Sequence, residues 1–134
     1  MSSKERRKLD IRFPLTPVGK PRMTRKDKWA KRPVVTAYFK YANTIRALAQ
    51  SERFSLPDNG LRLRFDFPMP GSWSKRRRRE MLGQPHQQRP DIDNCIKAVL
   101  DPLLKEDCTV WHIAGAEKRW AEAGSITLTT SEAA

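Results

Sequence analysis

The sequence predicts an α+β domain: a small mixed β-sheet of about four strands packed with two main helices. Three observations lead there. "LRLRFDF" puts Leu61, Leu63, Phe65 and Phe67 on one side of an extended chain and Arg62, Arg64 and Asp66 on the other, the period of a strand with one buried face. "DIDNCIKAVLDPLL" sets Ile92, Ile96, Val99, Leu100, Leu103 and Leu104 on one helical stripe. The helical and extended segments do not alternate strictly, as a parallel α/β fold would require. At 134 residues one domain over 1–134 is expected, with 1–7 and 131–134 disordered.

Taken in chain order, "LDIRFPL" alternates Leu9, Ile11, Phe13 and Leu15 with polar or turn-forming residues and reads as the first strand. "TPVGKPRMTRKDKWAKRP" is rich in Pro, Gly and basic residues and reads as a long loop. Phe39, Ile45, Leu48 and Ala49 then recur at helical intervals, giving a helix over about 37–52 that "PDNG" follows. After the "LRLRFDF" strand, Ser72 or Ser74 caps a short helix ending near Gly83. The main helix starts at Asp91 and ends or kinks near Asp101, because Pro102 lacks an N–H and its ring crowds the carbonyl four residues back. "TVWHIAGAEKRW" and "GSITLTT", joined through "AEAG", read as a closing hairpin.

Lysine and arginine number 27 against 15 acidic residues, a formal net charge of +12, and they come in runs, so a polyanion is the expected partner and nucleic acid leads. No apolar span is long enough to cross a bilayer, and "MSSKERRKLD" runs into charge rather than a signal core. A cytoplasmic location and no membrane partner are expected. Cys95 and Cys108 are too few for a disulfide framework, and with His86 and His112 they lack the paired spacing of a zinc site.

Against this basic background "RPDIDNCIKAVLD" gathers acid. Pro90 biases Arg89 toward an extended conformation and leaves Asp91 at the helix start, so Asp91 and Asp93 can lean the same way. Asp93, Lys97 and Asp101 follow one above another at intervals of four. Two carboxylates 4 Å apart repel by roughly 4 kcal/mol at an effective dielectric near 20, which a hard divalent cation offsets. Glu106 and Asp107 supply further carboxylate near by in sequence. The plain alternative is a helix cap at Asp91, an Asp93–Lys97 helical ion pair and a turn at Glu106–Asp107.

The stretch "RPDIDNCIKAVLDPLLKEDCTVW", with "AEKRW" after it, resembles the RusA-type Holliday-junction resolvases of the phage and prophage branch, and "MPGSWSKRRRREMLGQPH" and "GKPRMTRKDKW" are similar too. The resemblance implies a Mg²⁺-dependent endodeoxyribonuclease, with Mn²⁺ able to substitute, that resolves a four-way DNA junction by paired symmetric nicks in recombination and repair. It also implies a homodimer, whose two-fold symmetry matches that of the junction. Carried over residue by residue, Asp91, Asp93 and Asp107 hold the metal and Lys97 completes the catalytic set. Where the family usually has Asp-Asp this chain has Glu106-Asp107, leaving Glu106 a further candidate ligand, and where it usually has Ala this chain has Pro102.

Lys20, Arg22, Arg25, Lys26 and Lys28 in the first loop, the run Lys75, Arg76, Arg77, Arg78 and Arg79, and His86 are the expected DNA contacts. Trp29 and Trp73 lie beside these runs, where stacking on bases competes with ordinary packing. Two rivals remain. A restriction-type nuclease would need an acidic-x-Lys pair, and Glu117 directly adjoins Lys118. A non-catalytic basic binding protein would treat the acidic cluster as caps and ion pairs.

Overall fold

The strand "LRLRFDF" organises the molecule. The computed structural model describes residues 9–22, 32–104 and 109–131, so Arg25, Lys26, Lys28, Trp29, Glu106, Asp107, Cys108 and the predicted tails 1–7 and 132–134 lie outside the described residues. In chain order the elements are β1 (Ile11–Phe13), α1 (Pro33–Ser51), β2 (Leu61–Pro68), α2 (Lys75–Met81), α3 (Ile92–Leu103), β3 (Ile113–Ala121) and β4 (Ser125–Thr130). They form a mixed four-stranded sheet in the order β1-β4-β2-β3, with helices packed on it, so the expected α+β class is the one observed.

β2 alternates as expected: Leu61, Leu63, Phe65 and Phe67 face the core, and Arg62 and Arg64 face solvent. Asp66 breaks the pattern. It is on the outer face yet buried, accepting from Arg64 Nε at 3.0 Å and Ser125 Oγ at 3.1 Å. β2 pairs in parallel with β3, Phe65 opposite Lys118 and Phe67 opposite Trp120. On its other side it pairs antiparallel with β4, Leu63 opposite Leu128 and Phe65 opposite Ile126. Phe13, Ile45, Cys95, Ala98, Val99, Ile126 and Leu128 close around its inward side chains.

The predicted closing hairpin does not form. β3 and β4 are consecutive but lie on opposite sides of β2, and Glu122–Gly124 carries the chain across the end of β2 between them. A short turn signal cannot tell a direct hairpin from one that straddles a third strand, because the deciding partner, β2, lies more than 40 residues away. Ser131, expected within the disordered tail, donates to Gly60 O at 2.6 Å.

α1 starts at Pro33 rather than near 37, with proline at the head of the helix where its missing N–H costs nothing. Its buried stripe is Val35, Tyr38, Tyr41, Ala42, Ile45 and Ala49, and Phe39, expected on that stripe, faces outward. α3 ends two residues beyond the expected point near Asp101. It runs through Pro102 to Leu103. Proline there leaves Ala98 O without its helical donor, and the Tyr38 hydroxyl donates to that carbonyl at 3.2 Å. Arg46 Nε donates to Pro102 O at 3.1 Å, so α1 satisfies two carbonyls that α3 itself leaves open.

Because Phe65 is fully buried where both helices meet the central strand, Phe65→Ala is expected to lower the unfolding free energy by about 3–5 kcal/mol. Urea denaturation reads this directly, and an unchanged midpoint would contradict the packing described.

Candidate active site

A parallel pair such as β2 and β3 needs a crossover, and α3 runs back across the sheet within it. The start of α3 therefore lies toward the carboxyl ends of β2 and β3. The Asp91 carboxylate does not cap the helix. Asp91 has extended backbone angles (φ −63°, ψ 149°), its side chain makes no capping hydrogen bond, and only its carbonyl joins the helix, accepting from Cys95 N at 3.0 Å. Asp93, in the first turn, makes no ion pair with Lys97 among the described residues. Both plain explanations of these carboxylates therefore fail. Asp91, Asp93 and Lys97 are exposed and have no hydrogen-bond or ion-pair partner among the described residues. No group of three or more His, Cys, Asp or Glu side chains suited to a metal occurs among the described residues, and Glu106 and Asp107 lie outside them.

Asp101, the top of the expected column, pairs with Lys20 of the first loop instead of Lys97. That loop lies against α3. Lys20 N donates to Asn94 O at 3.5 Å, and Gly19 passes so close that an added Cβ would stand 2.5 Å from Asn94 Nδ2 and 2.9 Å from Pro90 Cβ. The result is an open cleft lined by Lys20, Pro21, Arg22, Asn94 and Lys97. The two described cations of the first loop and the motif lysine thus share one surface, which sequence distance alone had kept apart.

The segment leading to Asp91 is fastened along β3. Gly83 N donates to Trp120 O at 2.9 Å, Trp120 N to Gln84 O at 3.0 Å and His86 N to Lys118 O at 2.9 Å. Lys118 then reaches back, its Nζ donating to Gln88 O and to Pro90 O, each at 2.5 Å. Beneath the mouth Cys95 is fully buried. Burial pushes its thiol up to about 11 against the pull of Lys118, with Asp91 and Asp93 adding to the rise, so it is no nucleophile at neutral pH.

His86, expected at the DNA, is instead buried. Its ring stacks on Phe67 at 3.9 Å and tilts against Trp120 at 4.4 Å, and Trp73 adjoins Trp120 at 4.8 Å. Burial first, and then the Lys118 charge, lower its pKa from the usual 6.5. Trp73 itself carries Arg77, whose guanidinium lies 4.2 Å from the ring centre.

α2 begins where "GSWSK" predicts, with Ser74 Oγ accepting from Arg77 N at 3.1 Å. Its five basic residues differ in what they do. Arg78 is half-buried and ties α2 down, donating to Pro70 O at 2.9 Å and approaching Glu122 at 3.3 Å. Arg76 pairs with Glu80 at 3.1 Å on the surface. Lys75 and Arg79 are exposed without a partner among the described residues.

A family model described as Endodeoxyribonuclease RusA matches residues 13–129. The chain belongs to the RusA family. No curated protein and no solved structure matches it. Membership makes it a nuclease, and no described helix is long and apolar enough to cross a membrane. Within a RusA-family frame, Lys118 is the residue that sequence reasoning passed over. Its signal was available: Ala116, Lys118 and Trp120 share one side of β3, so a lysine stands at an inward position. Gly19 and Asn94 gave no signal of their contact.

Two outcomes follow from this geometry. A histidine with a lowered folded pKa binds fewer protons than its unfolded counterpart, so stability is retained above about pH 6.5 and falls as the pH drops through that value. Replacing it by a ring that keeps the stack, His86→Phe, is expected to make the wild-type-minus-variant difference in melting temperature fall between pH 8 and pH 5, and a wild type that gains stability relative to the variant on acidification would contradict this. Gly19→Ala forces the first loop off Asn94 and Pro90. Junction affinity, followed by gel shift, is expected to weaken several-fold while the melting temperature changes little.

Proposed function

We propose that the chain resolves four-way DNA junctions by divalent-metal-dependent hydrolysis, nicking two strands symmetrically as a C2 homodimer, in cytoplasmic recombination and repair. The observation that supports this best is the pair Asp91 and Asp93: two exposed carboxylates, neither capping the helix nor ion-paired among the described residues, at a helix mouth in a chain of formal net charge +12. Carboxylate oxygens left open in this way suit a hard cation. Asp91 and Asp93, with Asp107 and with Glu106 as a further candidate, would hold magnesium, or manganese in its place. Bound there, such an ion supplies Lewis acidity toward the scissile phosphodiester.

The chain's own residues account for the rest of the reading. Lys97 stands one turn beyond Asp93 and no carboxylate among the described residues neutralises it, so its ammonium offers fixed positive charge to a phosphate gaining negative charge in the transition state. The start of the 12-residue α3 adds its dipole and first-turn amides in the same direction. The cleft of Lys20, Arg22, Asn94 and Lys97 suits a neighbouring phosphate, and Lys75, Arg76, Arg77 and Arg79 on α2 suit the backbone further along. Arg25, Lys26 and Lys28 extend the basic loop in sequence. Arg78 and His86 are engaged within the fold and serve DNA only through the elements they hold. One copy offers one such mouth, and a second copy related by a two-fold axis gives the paired nicks.

Asp93→Asn is expected to abolish magnesium-dependent cutting of an end-labelled immobile junction, while affinity measured in chelator is kept or raised, since a negative charge facing the polyanion is gone. Cutting retained by this variant would overturn the reading. Tight junction binding by the wild type, with no cut under any divalent ion, would leave a non-catalytic binding protein.

A further inference from the structure

Lys118 sits in β3 opposite Phe65 of β2, on the side of the sheet that faces the core. An ammonium at such a position is costly unless its donors are met by acceptors. Two of its three donors are met by carbonyls of one short segment, Gln88 O and Pro90 O at 2.5 Å each, and its Nζ lies 5.7 Å from the centre of the Phe67 ring. The second acceptor belongs to the residue directly before Asp91. Of the remaining bonds of this segment to β3, those at Gly83, Gln84 and His86 are backbone bonds that many side chains would allow, and at its far end Arg119 Nη1 donates to Gly83 O at 2.7 Å. Cys95 Sγ also donates to Pro90 O, at 3.9 Å from within α3, so among the described contacts Lys118 is the one side chain that ties the last stretch before the carboxylates to the sheet.

We propose that Lys118 is a positioning residue for the carboxylate pair: by clamping Gln88 O and Pro90 O it fixes where α3 begins and so the direction in which Asp91 and Asp93 are presented. This rests on the metal-dependent reading above. Its charge matters as well as its reach, because an ammonium binds two carbonyls at once, whereas a neutral amide side chain of similar length offers a weaker donor pair. It touches no reacting atom, and its contribution is geometric.

Lys118→Met removes the donors and keeps the apolar stem, and Lys118→Arg keeps charge and donors. Amide hydrogen exchange in the chain without DNA reads the clamp itself. In Lys118→Met the Cys95 amide, which closes the first turn of α3 onto Asp91 O, is expected to exchange faster while the amides of β2 keep their protection. Manganese titration followed by calorimetry is expected to weaken about 10- to 100-fold in the same variant, with junction affinity in chelator within about twofold of wild type and Lys118→Arg recovering most of the loss. Unchanged Cys95 exchange together with an unchanged manganese titration would overturn the proposal. Should Lys118→Met lose protection throughout the sheet, Lys118→Gln, which retains one donor group, is read in the same way, and faster exchange in β2 as well as at Cys95 in that variant would make Lys118 a general fold residue and also overturn it. If the wild type binds no manganese and cuts no junction, the metal-dependent function fails, while the exchange comparison still decides whether Lys118 holds the mouth of α3.

Discussion

β2 is hydrogen-bonded along both edges, to a parallel neighbour on one side and an antiparallel neighbour on the other. That double pairing constrains everything around it. The antiparallel partner is reached by three residues that round the strand's end. The parallel partner is reached only by a long crossover, and a crossover that returns along the sheet has to start its helix near the strands' carboxyl ends. The exposed carboxylates, the clasping lysine and the basic helix are all consequences of that route: α2, the segment fastened to β3, and α3 are successive parts of one connection. Open sheets of parallel strands favour this same end for ligand sites, and the reason carries over even though here only one strand pair is parallel.

The electrostatics divide along this connection. Among the described residues several basic side chains pair with acids, Arg64 with Asp66, Arg76 with Glu80 and Arg78 with Glu122, whereas the acids at the start of α3 are not quenched by the lysine one turn on. Lys20 pairs with Asp101 and Lys118 clasps carbonyls, so the cations that could have neutralised Asp91 and Asp93 are turned elsewhere. A stability-driven arrangement would have paired them, since an Asp at a first turn followed by Lys four residues later is a favourable helical motif. Leaving such a pair unmade is the kind of local departure that accompanies a working site.

Much of this was legible in the sequence, and the limits are physical. β2 could be read because its period-two pattern is purely local, and so could the Ser74 cap and the run of α3 residues that face the core. The acid cluster was legible as a cluster, but not that Asp91 declines to cap, which depends on the rotation of one side chain. Pro102 argued for a helix end at Asp101, and the counterargument is a tyrosine hydroxyl 64 residues earlier in the chain that takes over the orphaned carbonyl. His86 reads as a loop histidine between polar neighbours. Only the register that lays Pro85 beside Arg119 brings its ring onto Phe67. For Pro102 and His86 the missing information was a long-range partner rather than a local preference.

The backbone lacing of Gly83, Gln84 and His86 to β3 has one more effect. β3 is an outermost strand of the sheet, and an outermost strand normally presents a row of unmet donors and acceptors that another chain can join. Here part of that row is occupied from within the molecule, and the opposite rim is β1, only three residues long. The covered part of β3 runs from Lys118 to Trp120, so a strand of another molecule could add to the β3 rim only along the half over residues 113–117, and the ladder open to edge-to-edge aggregation is shortened accordingly.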